Sequence, residues 1–307
     1  MLENVYVVTG ATSFIASGLL RELIRRQGEI YAVCRPNSEK MFRIPKSDKI
    51  HIIECELENL DRLREKIKQP CHVFFHLGWD GTGDKNNMYL QNQNVKYTLD
   101  AVQAAAQLGC HTFIGAGSQA EYGLANTKLH ENTPTFPVNG YGMGKLSAGL
   151  MSRKACEQLG IKHIWSRILS VYGPMDAQGT LVMSMIKKLT NGEKPMLTKA
   201  EQIWDFLYID DCAKALYLLS EHGQASQVYN IGSGEEIQLK EYAEKIRGIV
   251  NPKIDIEYGA KAYNENTPMF LSANIEKLKK DTGFEPKVSF ETGIHKIIEN
   301  LKLTNRP

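Results

Sequence analysis

Apolar residues along this chain fall into two alternating rhythms. Short, nearly continuous runs rich in Val and Ile occupy residues 5–8, 30–34, 50–53, 73–76 and 112–114, the pattern of strands covered on both faces. Between them, residues 17–27, 61–68 and 95–108 carry apolar side chains at helical spacing. Strand and helix taking turns predicts a parallel sheet with helices on both faces. A long helix from near Tyr141 and a sixth strand at 163–166 extend the alternation.

After about residue 174 the rhythm changes. A helix is expected at 182–191, with irregular chain around Gly192 and Pro195, and another helix at 210–221. A strand at 228–231 ends at Gly232 and Gly234, and further helices are expected at 239–250, 275–282 and 290–301. No repeat, low-complexity stretch or flexible linker divides these parts, so a second unit interleaved with the first is expected.

The 307 residues carry a formal net charge of only +2, which leaves no broad electrostatic footprint for nucleic acid. Lys277, Lys279 and Lys280 sit on an amphipathic stretch and read as a solvated helix face. Cysteines at 34, 55, 71, 110, 156 and 212 form no Cys-x-x-Cys pair and lie mostly in apolar segments. That pattern fits reduced, buried thiols better than disulfides or a metal site. No stretch approaches the roughly 20 apolar residues needed to span a bilayer, and strand-like sequence begins too early for a signal peptide. A cytoplasmic protein without a membrane partner is expected.

The first predicted strand runs through Gly10-Ala11-Thr12-Ser13 into a helix. Free backbone N–H groups and the helix dipole converge at such a turn, where a dinucleotide pyrophosphate can sit. Gly10 allows close approach, while the later small positions are Ser13 and Ala16. An acidic residue after the second strand would hold the adenosine ribose 2′-hydroxyl. Arg35 stands there instead, followed by Ser38 and Lys40. A cation among hydroxyl and amide donors suits a 2′-phosphate and hence NADP; stacking on adenine or plain solvation are the other readings of Arg35.

Tyr141-Gly-Met-Gly-Lys145 places a phenol and an ammonium on one helix face. A free phenol titrates near ~10, and a close ammonium lowers that value, readying the group for proton exchange. Ser118, after the fifth strand, can hydrogen-bond the same substrate oxygen.

These islands resemble the extended short-chain dehydrogenase/reductases, the NAD-dependent epimerase/dehydratase family that modifies nucleotide sugars. The resemblance spans nearly the whole chain. It includes Thr9-Gly10-Ala11-Thr12 with Phe14-Ile15, His76-Leu77, Asn94-Val95, Ser118 before Tyr122-Gly123, and Tyr141 with Lys145. It continues through Arg167, Val171-Tyr172-Gly173-Pro174, Asp205-Phe206, Tyr208-Ile209-Asp210-Asp211 and Tyr229-Asn230-Ile231-Gly232. The resemblance implies an α/β fold: a Rossmann-like doubly wound parallel sheet with a smaller, interleaved C-terminal α/β substrate domain. The expected division is residues 1–173 and 206–234 for the coenzyme, and 174–205 and 235–307 for the substrate. It implies Tyr141 as acid/base, Lys145 on the nicotinamide ribose and Ser118 orienting the reacting oxygen. Gly10, Thr12, Ser13, Phe14, Ile15, Arg35, Ser38, Leu77 and Gly78 would line the coenzyme, with Glu56-Leu57 near adenine and Asn94 near the nicotinamide. A homodimer through helices 95–108 and 141–159 is also implied.

Single residues separate the branches. The 4,6-dehydratases of the family place Asp and Glu where Gln119 and Ala120 stand. Reduction-coupled 3,5-epimerases use a Cys at the position of Ala120. Neither Gln nor Ala does acid/base work. A 4-epimerase retains NAD and usually carries an acidic residue near position 35, whereas a reductase exchanges NADPH each turnover. Arg35 therefore favours NADPH-dependent reduction of a 4-keto-deoxy sugar nucleotide. The alternatives are an NAD-dependent 4-epimerase and a non-catalytic NAD(P)-binding sensor. The family's Arg before Asp-Phe is Trp204 here, its common Asn before Val171 is Ser170, and its pyrophosphate Arg has no match around Met269 and Phe270. Trp204 stacks on a nucleobase or fills the core. Trp79, Ser118, Gln119, Ser170 and Trp204 are the candidate substrate contacts, with Glu121 a more distant one. The Gly-rich loop from Trp79 to Asp84 is either a mobile substrate flap or an ordinary surface loop with an anchoring Trp.

Overall fold

The five residues Val5–Thr9 are buried on both faces and form the strand at the centre of the molecule. The computed structural model describes residues 4–304. β1 (Val5–Thr9) leads into α1 (Phe14–Arg25), then β2 (Glu29–Cys34), β3 (Ile50–Glu54), the one-turn α2 (Leu63–Lys66) and β4 (Val73–His76). α3 (Met88–Gln107), β5 (Thr112–Ser118), α4 (Gly140–Gln158) and β6 (Lys162–Ile168) follow. The later part holds β7 (Ser170–Tyr172), α5 (Leu181–Thr190), β8 (Ile203–Trp204), β9 (Phe206–Tyr208), α6 (Ile209–His222) and β10 (Gln227–Ile231). It closes with β11 (Ile237–Gln238), α7 (Leu239–Val250), β12 (Phe270–Leu271), α8 (Glu276–Thr282) and α9 (Phe290–Thr304).

Seven strands make one parallel sheet in the order β3-β2-β1-β4-β5-β6-β10. This is the doubly wound sheet expected from the alternation. Its strand order reverses between β1 and β4, which opens a crevice at their carboxyl ends. On one face Leu19, Leu20 and Leu23 of α1 and Leu216 and Leu219 of α6 cover Tyr6, Val8 and Ile30. On the other, Ala101 and Ala105 of α3 with Leu60 and Leu63 cover Val7, Phe74 and Phe113. A third core joins Met183 and Ile186 of α5 to Tyr242 and Ile246 of α7 and Ile294 and Ile297 of α9. Two small sheets, β11-β8-β12 and β7-β9, tie this part to the crevice.

Some elements differ from expectation. β3 is an edge strand with Ile52 exposed, rather than a strand covered on both faces. The helix expected at 61–68 is only a 3-10 turn at Leu57–Arg62 followed by α2. Leu60, Leu63 and Ile67 are buried at helical spacing, but Asn59 breaks the turn at φ −116°. α3 starts a full two turns earlier than expected, capped by Asn87 Oδ1 accepting from Leu90 N. Its opening residues Met88 and Tyr89 are exposed and so add no amphipathic signal. The two- and three-residue strands β7, β8, β9, β11 and β12 were not legible, because so short a run has no periodicity.

Among the described residues all six cysteines are buried and unpaired. No helix there is long and apolar enough to cross a membrane.

Candidate active site

β1 and β4 end side by side, and the turns that follow them meet. Gly10 adopts φ +65°, and a Cβ there would lie 2.7 Å from the Cα of Gly78. Gly10 must therefore be Gly for the two turns to meet. Ser13 caps α1, its Oγ accepting from Ala16 N at 3.2 Å. Ala16 is fully buried, which explains a small residue in the family's third glycine position. Leu57 packs against Gly78 and Leu77 is buried beside it, while Glu56 is exposed. Phe14 and Ile15 turn partly into the third core.

Past the end of β2, Arg35 is exposed, and Asn37 turns the chain at φ +52°. Ser38 is buried and its Oγ donates to Thr12 Oγ1 at 3.2 Å. Arg43, which the sequence did not single out, reaches back to the same place. Its Nη1 donates to the Thr12 carbonyl at 3.4 Å.

Ser118 closes β5, and its backbone N–H donates to Glu121 Oε1 at 2.8 Å in a capping box around the turn Gln119–Glu121. Its hydroxyl accepts from Ala120 N at 3.2 Å and, near the Tyr141 phenol, pulls that group's pKa down. Tyr141 opens α4, whose cap is Asn139. Two glycines bring that helix in close. A Cβ on Gly142 would overlap the Ala120 carbonyl, and one on Gly144 would press on the Gln91 carbonyl and the Trp79 ring at 3.2 Å. Ser118, Tyr141 and Lys145 thus line one wall of the crevice.

The electrostatics depart from the sequence expectation. Burial pushes the Tyr141 phenol up, the Ser118 bond pulls it down, and the Glu121 charge adds a small upward push. Lys145 Nζ lies 5.8 Å from the centre of the Tyr141 ring. The buried ammonium donates to the Ala116 carbonyl at 2.7 Å and lies 3.8 Å from the centre of the Trp79 ring. Desolvation brings Lys145 down to about 7, against the pull of Glu121, so its charge is only partial near neutrality.

Glu121 is fully buried and faces away from the crevice. Its carboxylate accepts from Trp165 Nε1 at 2.9 Å and Arg167 Nε at 2.7 Å. It anchors the Ser118 turn from behind, so a role on sugar hydroxyls is ruled out. Gln119, next to Ser118, is partly exposed.

The loop after β4 is tied down at several points. Asn94, 1 % exposed, accepts from Asp80 N at 2.8 Å and donates to Asp80 O at 3.0 Å. Gln91 donates to the carbonyls of Gly81 and Asp84 and accepts from Trp79 Nε1 at 2.9 Å. Lys85 O accepts from Tyr141 N at 2.7 Å. The loop is thus tied to α3 and braces the start of α4. Gln91 was missed because a Gln in a helix gives no sequence signal of burial.

Trp204 and Ser170 meet each other, Trp204 Nε1 donating to Ser170 Oγ at 2.8 Å. Nearby Asp205, fully buried, accepts from Ser233 N, Ser233 Oγ, Gly234 N and Ala273 N. One carboxylate thereby joins β8, β10 and β12 beside the crevice. Among the described residues no group of three or more His, Cys, Asp or Glu is arranged for a metal ion.

A family model described as the NAD dependent epimerase/dehydratase family matches residues 6–232. The chain belongs to that family. Over 98% of its length it is 25% identical to the dTDP-4-dehydro-6-deoxyglucose reductase of Escherichia coli, covering 98% of that protein. It is also 25% identical to the CDP-abequose synthase of Salmonella muenchen, over 95% of this chain and 96% of the other. The fold superimposes on the UDP-N-acetylglucosamine 4-epimerase of Methanobrevibacter ruminantium M1 with a TM-score of 0.89 and 24% identity, covering 99% of this chain and all of that one. The family's dinucleotide fits what is present: the Gly10 turn leads from the end of β1 into α1 beside the point where the strand order reverses, and the free N–H groups at the start of α1 suit a pyrophosphate.

Proposed function

We propose that this protein reduces a 4-keto-deoxy sugar nucleotide to the corresponding alcohol with NADPH. The observation that carries the reading is that Ser118 at the end of β5, Tyr141 at the start of α4 and the buried Lys145, which donates to Ala116 O of β5, come together. Arg35 at the end of β2 directs the coenzyme choice, since a cation there favours a phosphate over a bare ribose hydroxyl. The E. coli and Salmonella relatives, named as a 4-dehydro sugar-nucleotide reductase and a sugar-nucleotide synthase, support the substrate class.

NADPH supplies the hydride. Ser118 holds the ketone oxygen through its hydroxyl, and Tyr141 passes its phenolic proton to that oxygen as charge develops. Lys145 binds the nicotinamide ribose and replenishes positive charge behind the phenol. Burial keeps the Tyr141 phenol protonated, and the negative charge that develops on the ketone oxygen as hydride arrives draws the proton across. Gln119, Trp79, Ser170 and Trp204 frame the substrate side.

Titrating NADPH and NADH separately, then assaying 4-keto-deoxy sugar nucleotides, tests the reading. Preference for exchangeable NADPH with turnover that Tyr141→Phe lowers about 10²–10⁴-fold, coenzyme affinity intact, supports it. NAD carried through purification with interconversion of two 4-hydroxy epimers replaces it by a 4-epimerase.

We also infer a homodimer through α3 and α4, on which Met143, Leu150 and Met151 are exposed apolar residues. Sedimentation of the protein and of a Leu150→Glu variant checks it: a dimer becomes a monomer.

A further inference from the structure

A row of buried side chains joins the ends of β1 and β4 to α3. Thr9, the last residue of β1, lies opposite His76, the last residue of β4, in the parallel register. Thr9 Oγ1 is 2.9 Å from His76 Nδ1. On the other side of the ring, His76 Nε2 is 3.3 Å from Thr98 Oγ1 of α3. All three residues are buried.

The outer bonds fix every proton in this row. Thr98 Oγ1 donates to the Asn94 carbonyl at 2.9 Å, so toward His76 it can only accept. The ring therefore carries its proton on Nε2 and leaves Nδ1 bare. Nδ1 accepts from the Thr9 hydroxyl, whose oxygen in turn accepts from Gly78 N at 3.4 Å. Only a neutral imidazole satisfies both ends, and burial, then the Lys145 charge, holds its pKa down to about 3.

Backbone pairing already holds β1 to β4. The row adds something else, because both of its ends reach the turn beyond the sheet. One end is Gly78 N–H; the other is Asn94, whose side chain pins Asp80 through both N and O. Gly78 lies against the Gly10 turn, where the strand order reverses. Ligands of doubly wound sheets bind in that crevice, so this turn forms part of its floor.

We propose that His76 is a positioning residue for the coenzyme: through Thr9 it aims the Gly78 turn, and through Thr98 it steadies Asn94. The floor of the crevice is thereby set before the coenzyme arrives. The inference rests on the dinucleotide reading above, and it applies to NADPH and NADH alike, because the turn lies away from Arg35.

Substitution can cut the row on one side at a time. His76→Asn offers Oδ1 in the place of Nδ1, and His76→Gln offers an N–H in the place of Nε2–H. Thr9→Val removes the hydroxyl with little change of shape. Dissociation constants for NADPH and NADH, from quenching of tryptophan fluorescence, are compared with wild type, with melting temperatures to show that each variant folds. Expected are losses of about tenfold for both coenzymes in His76→Gln and Thr9→Val, and less than about threefold in His76→Asn. Equal losses in His76→Asn and His76→Gln make the residue a structural prop and overturn the proposal. So does unchanged affinity in either His76→Gln or Thr9→Val, and Thr9→Val decides alone should the His76 variants not fold. Wild type binding neither dinucleotide defeats the dinucleotide reading itself, a different failure visible before any variant is made.

Discussion

The wall around Ser118 and the rim around Thr12 handle charge in opposite ways. Behind Ser118, the carboxylate of Glu121 is fully buried but accepts from Ser118 N, Trp165 Nε1 and Arg167 Nε. Beside Thr12, Arg43 has a buried N–H with no acceptor, and Arg35 is exposed. One region is complete in the absence of any ligand; the other is left short of negative charge. In the proposed reaction the Ser118 wall holds its geometry before substrate arrives, since an angstrom of slack is costly to chemistry. In the proposed coenzyme reading the Thr12 rim can remain unbalanced, because negative charge arrives with the ligand.

The comparison is broken most severely at Glu121. Glu121→Ala leaves Arg167 buried and unpaired, and should cost about 3–5 kcal/mol of stability in urea unfolding. A loss below ~1 kcal/mol would mean that the pair is not the internal anchor inferred here. Acid comes next. His76, bonded to Thr9 and Thr98 hydroxyls, is held down to about 3 by burial and then by Lys145; His163, stacked between Phe113 and Trp165, is held down to about 4 by burial. Both folded values lie below the unfolded value of about 6.5, so the unfolded chain takes up protons that the folded one refuses. The stability they confer is present above pH ~6.5 and drains away toward pH 4–3. Between pH 7 and 5 the loss is about 2 kcal/mol per histidine. Urea midpoints across that range read it, and His163→Asn should remove roughly half of the slope. The smallest effect belongs to the coenzyme rim. Arg43→Met, measured without coenzyme, should cost less than about 1.5 kcal/mol, since only two hydrogen bonds to carbonyls are lost. A cost matching that of Glu121→Ala would erase the distinction between the two regions.

What could be read beforehand followed from local rules. Strands such as β1 and β4 are continuous apolar runs because both faces are covered, and the Gly10 turn and the Tyr141/Lys145 spacing are short-range patterns. The Tyr141/Lys145 spacing showed that the two share a helix face, but not that burial raises the phenol's pKa. The degree of burial, the hydrogen bond of the ammonium to Ala116 O and its place over the Trp79 ring are set by segments distant in the chain.

The sequence by itself therefore determined the alternation of strand and helix, the parallel sheet, the family and the residue types available for proton transfer. Those depend on periodicity and on motifs a few residues long. The tertiary structure alone decided that Glu121 supports Ser118 from behind, that Gln91 and Asn94 pin the loop after β4, and that Arg43 returns to Thr12. Each is a contact between segments distant in the chain, and burial and charge balance are properties of the packed neighbourhood rather than of the residue.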